Sequence, residues 1–146
     1  MREIKFRAWD NLDRKMSKTI PLIELIGEMP ERLFGNHPWS HLIWMQYTGL
    51  HDKNGKEIYE GDFIREQYYT KKKDTGETRS MELIDEVRWG KYQDDEYDWT
   101  TMCWLLGNNP LPTEIPTYNN PYWVCLDFKW EVIGDIYSNP ELLEEK

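Results

Sequence analysis

Residues 48–64 read TGLHDKNGKEIYEGDFI, and the turns in this stretch decide the fold class. Asn54-Gly55 stands between apolar segments and marks a tight hairpin, because glycine reaches positive φ without steric cost. Gly61-Asp62 marks a second sharp turn just before Phe63-Ile64 begin another strand. Turns this close together leave only short strands between them, as a small β-barrel requires. Gly49, Gly55, Gly61 and Gly134 are read as serving backbone geometry, and Asp52 and Asp62 as carboxylates that hold turn amides.

Upstream, Leu42–Tyr47 (LIWMQY) reads as a buried strand leading into these turns. Downstream, Thr70–Arg79 (TKKKDTGETR) is polar and reads as a hairpin tip, and Met81–Trp89 resumes strand character. Tyr92–Asp98 is acidic, Met102–Leu106 is apolar, and residues 107–121 (GNNPLPTEIPTYNNP) form a proline- and asparagine-rich loop expected to lack regular structure. Tyr122–Asp127 and Lys129–Tyr137 supply two last strands. Asn139-Pro140-Glu141 then predicts a short terminal helix, with Asn139 as cap and Pro140 in the first turn.

At the other end, Glu3–Ala8 alternates, placing Ile4, Phe6 and Ala8 on one face and Glu3, Lys5 and Arg7 on the other, the pattern of a half-buried strand. Turn formers at Asp10–Asp13 predict a hairpin that returns along Lys15–Ile20. Leu22, Leu25, Ile26, Met29 and Leu33 recur at helical spacing after Pro21, until Pro30 ends or kinks the helix.

The chain has 146 residues, enough to bury one core without disulfide or metal support. Its eight Trp, nine Tyr and four Phe argue against disorder and suit a pleated, half-buried surface. A formal charge of −9 opposes generic attraction to phosphate backbones and anionic membranes. Six basic side chains against three acidic make residues 1–18 a +3 segment, so the remainder carries −12. MREIKFRAWD resembles no signal peptide, and no apolar run is long enough to span a bilayer, so a cytoplasmic protein without membrane association is expected. Cys103 and Cys125 are expected to be reduced.

Three segments together resemble the YopX family of phage and prophage proteins: MREIKFRAWD at the start, MQYTGLHDKNGKEIYEGDFI in the middle and WEVIGDIYSNPELL at the end. The resemblance covers roughly 1–20, 44–66 and 122–144. It implies an α+β, mainly β chain with a C-terminal SH3-like small barrel, self-association through the N-terminal part and a place in the cytoplasm of a bacterial host. It implies no established activity and transfers no functional residue. The expected organisation is an N-terminal αβ oligomerisation segment over 1–43, followed by the barrel over 44–146 with the insertion 107–121.

Candidate chemistry is sparse. His37 and His41 are four apart, the spacing of two imidazoles on one helix face, but Pro38 and a loop-like flank weaken a zinc site there. Asp94, Asp95, Glu96 and Asp98 form the densest acidic run, read as a solvated tip, with a hard-cation site or a negative stripe for a basic partner as alternatives. No nucleophile, Walker or dinucleotide motif is present, so no catalytic residue and no cofactor are expected. Tyr47, Tyr59, Tyr68 and Trp89 are the candidates for an aromatic platform that binds an extended peptide or bases, against the alternative of core or subunit packing. The favoured reading is an oligomeric module acting on a host or phage protein. A nucleic-acid role, through Lys71-Lys72-Lys73 or by acidic mimicry of DNA, and a metal-dependent hydrolase built on His37 and His41 are the competitors.

Overall fold

The computed structural model describes residues 3–23, 41–94, 99–111 and 123–144. They form β1 (Lys5–Asp10), β2 (Lys15–Met16), β3 (Ile20–Pro21), β4 (Leu42–His51), β5 (Glu57–Tyr59), β6 (Asp62–Lys72), β7 (Thr78–Asp94), β8 (Trp99–Leu106), β9 (Asn109–Pro110), β10 (Trp123–Asp135) and a 3₁₀ turn at Pro140–Leu143. Two antiparallel five-stranded sheets result. The N-terminal sheet has the order β2-β1-β4-β5, with β3 also paired to β1, and the second sheet has the order β10-β6-β7-β8-β9.

The two turns of residues 48–64 do what their residues predict. Gly55 and Gly61 have φ of +78° and +83°, conformations that other residues reach only with strain. Asp52 Oδ1 accepts the amides of Asn54 and Lys56 at 2.8 and 2.9 Å, while its Oδ2 accepts Val132 N–H at 3.0 Å and ties the turn to β10. Asp62 Oδ2 accepts Tyr59 N–H at 2.8 Å. Gly61 donates to Val87 at 2.8 Å and accepts from Ile136 at 2.9 Å, so this one turn joins β7 to the end of β10.

The second sheet curls because β7 changes partners along its length. Thr78–Glu86 pair with β6, and Val87–Asp94 pair with β8. The resulting half-barrel, of the shape of a small β-barrel, closes over Ile58, Ile64, Val87, Trp104, Leu106, Leu111 and Val132, with Leu50 and Trp130 packed against them. Each such side chain, fully buried, stabilises the fold by about 1.5–3 kcal/mol.

Several expectations are corrected. The return of the N-terminal hairpin is broken into β2 and β3: Ser17 still donates its N–H to Ala8 C=O at 2.8 Å, but Ala8 N–H is taken by Ser17 Oγ at 2.8 Å in place of a backbone carbonyl. Pro21 itself pairs with Lys5 in an edge strand, and the helical residues begin directly after it. Only the helical Leu22 and Ile23 follow before residue 24, and the helix expected beyond them lies outside the described residues. Residues 107–111 are ordered, with β9 paired to β8 and Leu111 buried in the core, while 112–121 lie outside the described residues. The last two strands are one, interrupted by a bulge at Asp127-Phe128 where Asp127 has φ +52°. β4 joins the two ends of its sheet, its first half pairing with β1 and its second half with β5.

At the C-terminus the expected helix is a single 3₁₀ turn, and Asn139 makes no capping hydrogen bond to it. Its Oδ1 instead accepts Asp135 N–H at 3.3 Å. It also lies 2.5 Å from where a Cβ on residue 134 would stand, which is why that position is glycine.

Candidate interaction surface

Two regions of the molecule concentrate aromatic and charged side chains. The first is the junction between the sheets. Phe6, Arg7 and Ala8 of β1 pair with β4, and β4 carries Tyr47 opposite Tyr59 of β5. Arg7 crosses the junction to Asp62, with an N···O distance of 2.5 Å, and its guanidinium carbon lies 4.7 Å from the centre of the Tyr59 ring. Lys5 hydrogen-bonds Glu57 and lies 4.6 Å from the Tyr47 ring centre. Tyr59 donates its hydroxyl to Glu57 at 2.8 Å and shares a 2.8 Å hydrogen bond with Thr19.

These contacts correct the reading of β1 as a strand with one charged, solvated face. Lys5 is buried and the Arg7 side chain nearly so, whereas Ile4 is exposed. The physical reason is that β5, in the same sheet as β1, supplies Glu57 to Lys5 and β6 of the second sheet supplies Asp62 to Arg7; without these counter-charges burying the cations would be costly.

The junction's electrostatics follow. Burial raises the Asp62 carboxyl against the opposing pull of Arg7 and the Tyr59 amide. The hydrogen bond to Glu57 raises Lys5 above its ordinary value, against its own burial. Burial works against the charged Glu57, but the hydrogen bonds from Lys5 and Tyr59 outweigh it and lower its pKa. Burial, followed by the hydrogen bonds and charges around it, leaves the Tyr59 phenol pushed up to about 12. Tyr47 and Tyr59 are thus structural members of a closed ionic and aromatic joint, with ring centres 5.5 Å apart.

The second region is the inner face of the curled sheet beyond its core. Val87 faces the core with its partner Leu106, so alternation along β7 puts Met81, Leu83, Asp85 and Trp89 on that same face. Leu83, Met81 and Trp89 are 47%, 38% and 49% exposed, and Met102 on β8, opposite Lys91, is 53% exposed. Tyr68 of β6 lies opposite Met81, with its ring 6.0 Å from Phe128, which in turn lies 6.5 Å from Trp130. Trp89 meets Trp104 edge-on at 5.1 Å. Trp104 is buried, and its indole N–H has no hydrogen-bond partner among the described residues.

The four aromatic candidates therefore divide: Tyr47 and Tyr59 sit in the joint, Tyr68 and Trp89 on the second sheet. Met81, Leu83, Met102 and Phe128 were not singled out from sequence, although alternation through Met81–Trp89 would have grouped Met81 and Leu83 with Trp89. Glu66 lies on this face too, and burial, then the charge of Asp85, raises its carboxyl above the usual range. Across the sheet, Gln67, Tyr68, Tyr69, Ser80, Asp127 and Lys129 line a depression of about 110 Å³. That is well under the roughly 300 Å³ at which small-molecule sites begin.

His41 is half-buried at the start of β4, and His37 lies outside the described residues, as do residues 95–98 of the acidic run. His51 packs its ring edge-on against Tyr47 at 5.9 Å. Among the described residues no three His, Cys, Asp or Glu side chains gather as metal ligands, and no helix is long and apolar enough to cross a membrane. Cys103 is a free thiol, raised by burial.

Comparison with known proteins places this arrangement. The crystal structure of protein EF1440 from Enterococcus faecalis is similar, at 26% sequence identity and a TM-score of 0.52, with 96% of this chain and 97% of that chain covered. No curated protein matches the sequence. The model of the YopX protein family matches residues 5–144, nearly the whole length. With the three sequence segments lying in β1, in β4 to β6 and in β10 with its terminal turn, the chain belongs to the YopX family.

Proposed function

We propose that this protein is a non-catalytic interaction module of a phage or prophage, a homo-oligomeric scaffold that binds a host or phage protein in the bacterial cytoplasm. Family membership supports a phage-type protein. In this reading the second sheet is an SH3-like barrel and the N-terminal sheet contributes to self-association.

The observation that carries the proposal is the exposed apolar face of the second sheet. Trp89, Met102, Leu83 and Met81 project from a strand pair that is otherwise regular. Exposed aromatic and methionine side chains on a rigid sheet are what a protein interface uses for its central contacts. The chain's −9 charge favours a basic protein partner over nucleic acid.

The test is affinity capture with a tagged copy co-expressed with host and phage proteins, alongside a Trp89→Asp/Met102→Asp variant. A partner retained by the wild type and lost by the folded variant supports the reading. Capture of nothing by either, or turnover of a substrate by the purified protein, overturns it.

A further inference from the structure

A sheet edge is a row of unsatisfied N–H and C=O groups, and proteins blunt such edges with bulges, charges or covering segments. The three-stranded part of the second sheet, β10-β6-β7, has two edges. That of β10 is blunted. It carries the Asp127-Phe128 bulge, Trp130 C=O accepts from Lys53 N–H at 3.1 Å, and Val132 N–H is taken by Asp52.

The edge of β7 is different. Thr78–Glu86 pair with β6 in unbroken register, and among the described residues no strand pairs on their other side, because β8 begins its pairing only at Val87. The direction of the open groups follows from their neighbours. Glu86 C=O accepts from Gly107 N–H on the β8 side, and Val87 C=O accepts from Gly61 N–H on the β6 side. By alternation, Ser80, Glu82 and Ile84 also point their amides and carbonyls outward.

We infer that this edge pairs with the same edge of a second copy, antiparallel about a two-fold axis at Glu82, joining the two sheets into one. The register is selected by side chains. Centred at Glu82, Ser80 pairs with the second copy's Ile84 through hydrogen bonds. The intervening pairs, whose side chains stand closer, are then Met81 with Leu83 and Arg79 with Asp85, each occurring twice. Moving the axis to Leu83 sets Met81 against Asp85, and moving it to Met81 sets Arg79 against Leu83. Only the Glu82 register matches apolar with apolar and cation with anion.

The pairing covers Met81 and Leu83, two of the exposed apolar side chains, while Arg79, now 3.2 Å from Glu77, and Asp85, whose carboxylate packs against Gly107, are both already engaged within the chain and exchange or share those contacts. Its unfavourable element is Glu82 facing Glu82 on the opposite face, where each accepts from Gln67 of its own sheet at 2.8 Å. This deepens the scaffold proposal by naming where copies meet.

The experiment measures molar mass by light scattering across a concentration series, for the wild type and for Arg79→Asp, Met81→Lys, Glu82→Gln and Arg79→Asp/Asp85→Arg. Arg79→Asp sets a second carboxylate against Asp85 in both symmetry-related pairs, and it is expected to halve the mass of the assembly. Met81→Lys, at an exposed site that leaves folding intact, is expected to do the same. The double variant restores opposite charges and the wild-type mass, and Glu82→Gln lowers the concentration needed for assembly. Amide exchange reads the register directly: protection of Ser80, Glu82 and Ile84 rises with concentration, while Met81 and Leu83 are protected throughout. A wild type that assembles with Arg79→Asp and Met81→Lys unchanged overturns the edge pairing and leaves the scaffold reading standing. A wild type that stays at one chain mass overturns both.

Discussion

The joint between the sheets and the outer part of β6, β7 and β10 are built from the same kinds of residue and put them to opposite uses. In the joint, Arg7, Lys5, Tyr47 and Tyr59 are enclosed, and each charge has a partner: Asp62 for Arg7, Glu57 for Lys5. On the outer sheet, Trp89, Leu83 and Met81 are open to solvent on a face that continues directly from the core. The difference teaches that cohesion of this small, ring-rich chain is concentrated where two sheets clamp an ionic pair between aromatic rings. The outer strands, held by backbone ladders and few buried side chains, are left available for contact with another molecule.

Removing Asp62 breaks the joint most. Its side chain is 1% exposed, and Asp62→Ala leaves Arg7 buried without its counter-charge and Tyr59 N–H without an acceptor. A loss of about 3–5 kcal/mol is expected from comparable buried pairs, read as a lower denaturation midpoint at unchanged slope. A midpoint within error of the wild type would mean that the joint does not hold the sheets.

Gly134→Ala comes next, at about 1–3 kcal/mol, because the added methyl must displace the Asn139 carboxamide. Asn139→Ala in the same chain should return part of that loss in thermal melts, since the obstructing atoms are gone.

The Lys5 and Glu57 pair is a smaller contributor, about 1 kcal/mol for a part-exposed pair. Glu57 is lowered from 4.5, so its contribution is complete above pH 4.5 and lost as pH falls through its lower folded value. Lys5 is raised from 10.5, so its contribution is complete below pH 10.5 and lost as pH rises through its higher folded value. Subtracting the pH–stability curve of Glu57→Gln from that of the wild type should leave a plateau bounded by those two declines. A difference that is flat across the acid limb would remove Glu57 from the joint.

The smallest effect sharpens the contrast from the other side. Leu83→Ser, on the outer sheet, should change monomer stability by less than about 0.5 kcal/mol while weakening assembly. A large loss of monomer stability would show that this face is packed rather than presented.

The turns were legible because their chemistry is local. Asn54-Gly55 and Gly61-Asp62 need only their own φ values and the reach of a carboxylate to a neighbouring amide, and both appear where the sequence puts them. The proline-rich stretch was less legible, since β9 and Leu111 depend on β8 and the core being present to receive them. The bulge that makes one strand of the last two rests on a single residue, Asp127, in a conformation that composition does not announce.

From its residues alone this protein determined a mainly β chain, punctuated by glycine and aspartate, with a family likeness carried by those turns. Tertiary structure alone decided that Lys5 and Arg7 are inside and Leu83 is outside. Alternation in a strand separates two faces but does not say which is covered, and that depends on carboxylates brought from elsewhere in the chain, Glu57 by β5 of the same sheet and Asp62 by β6 of the second.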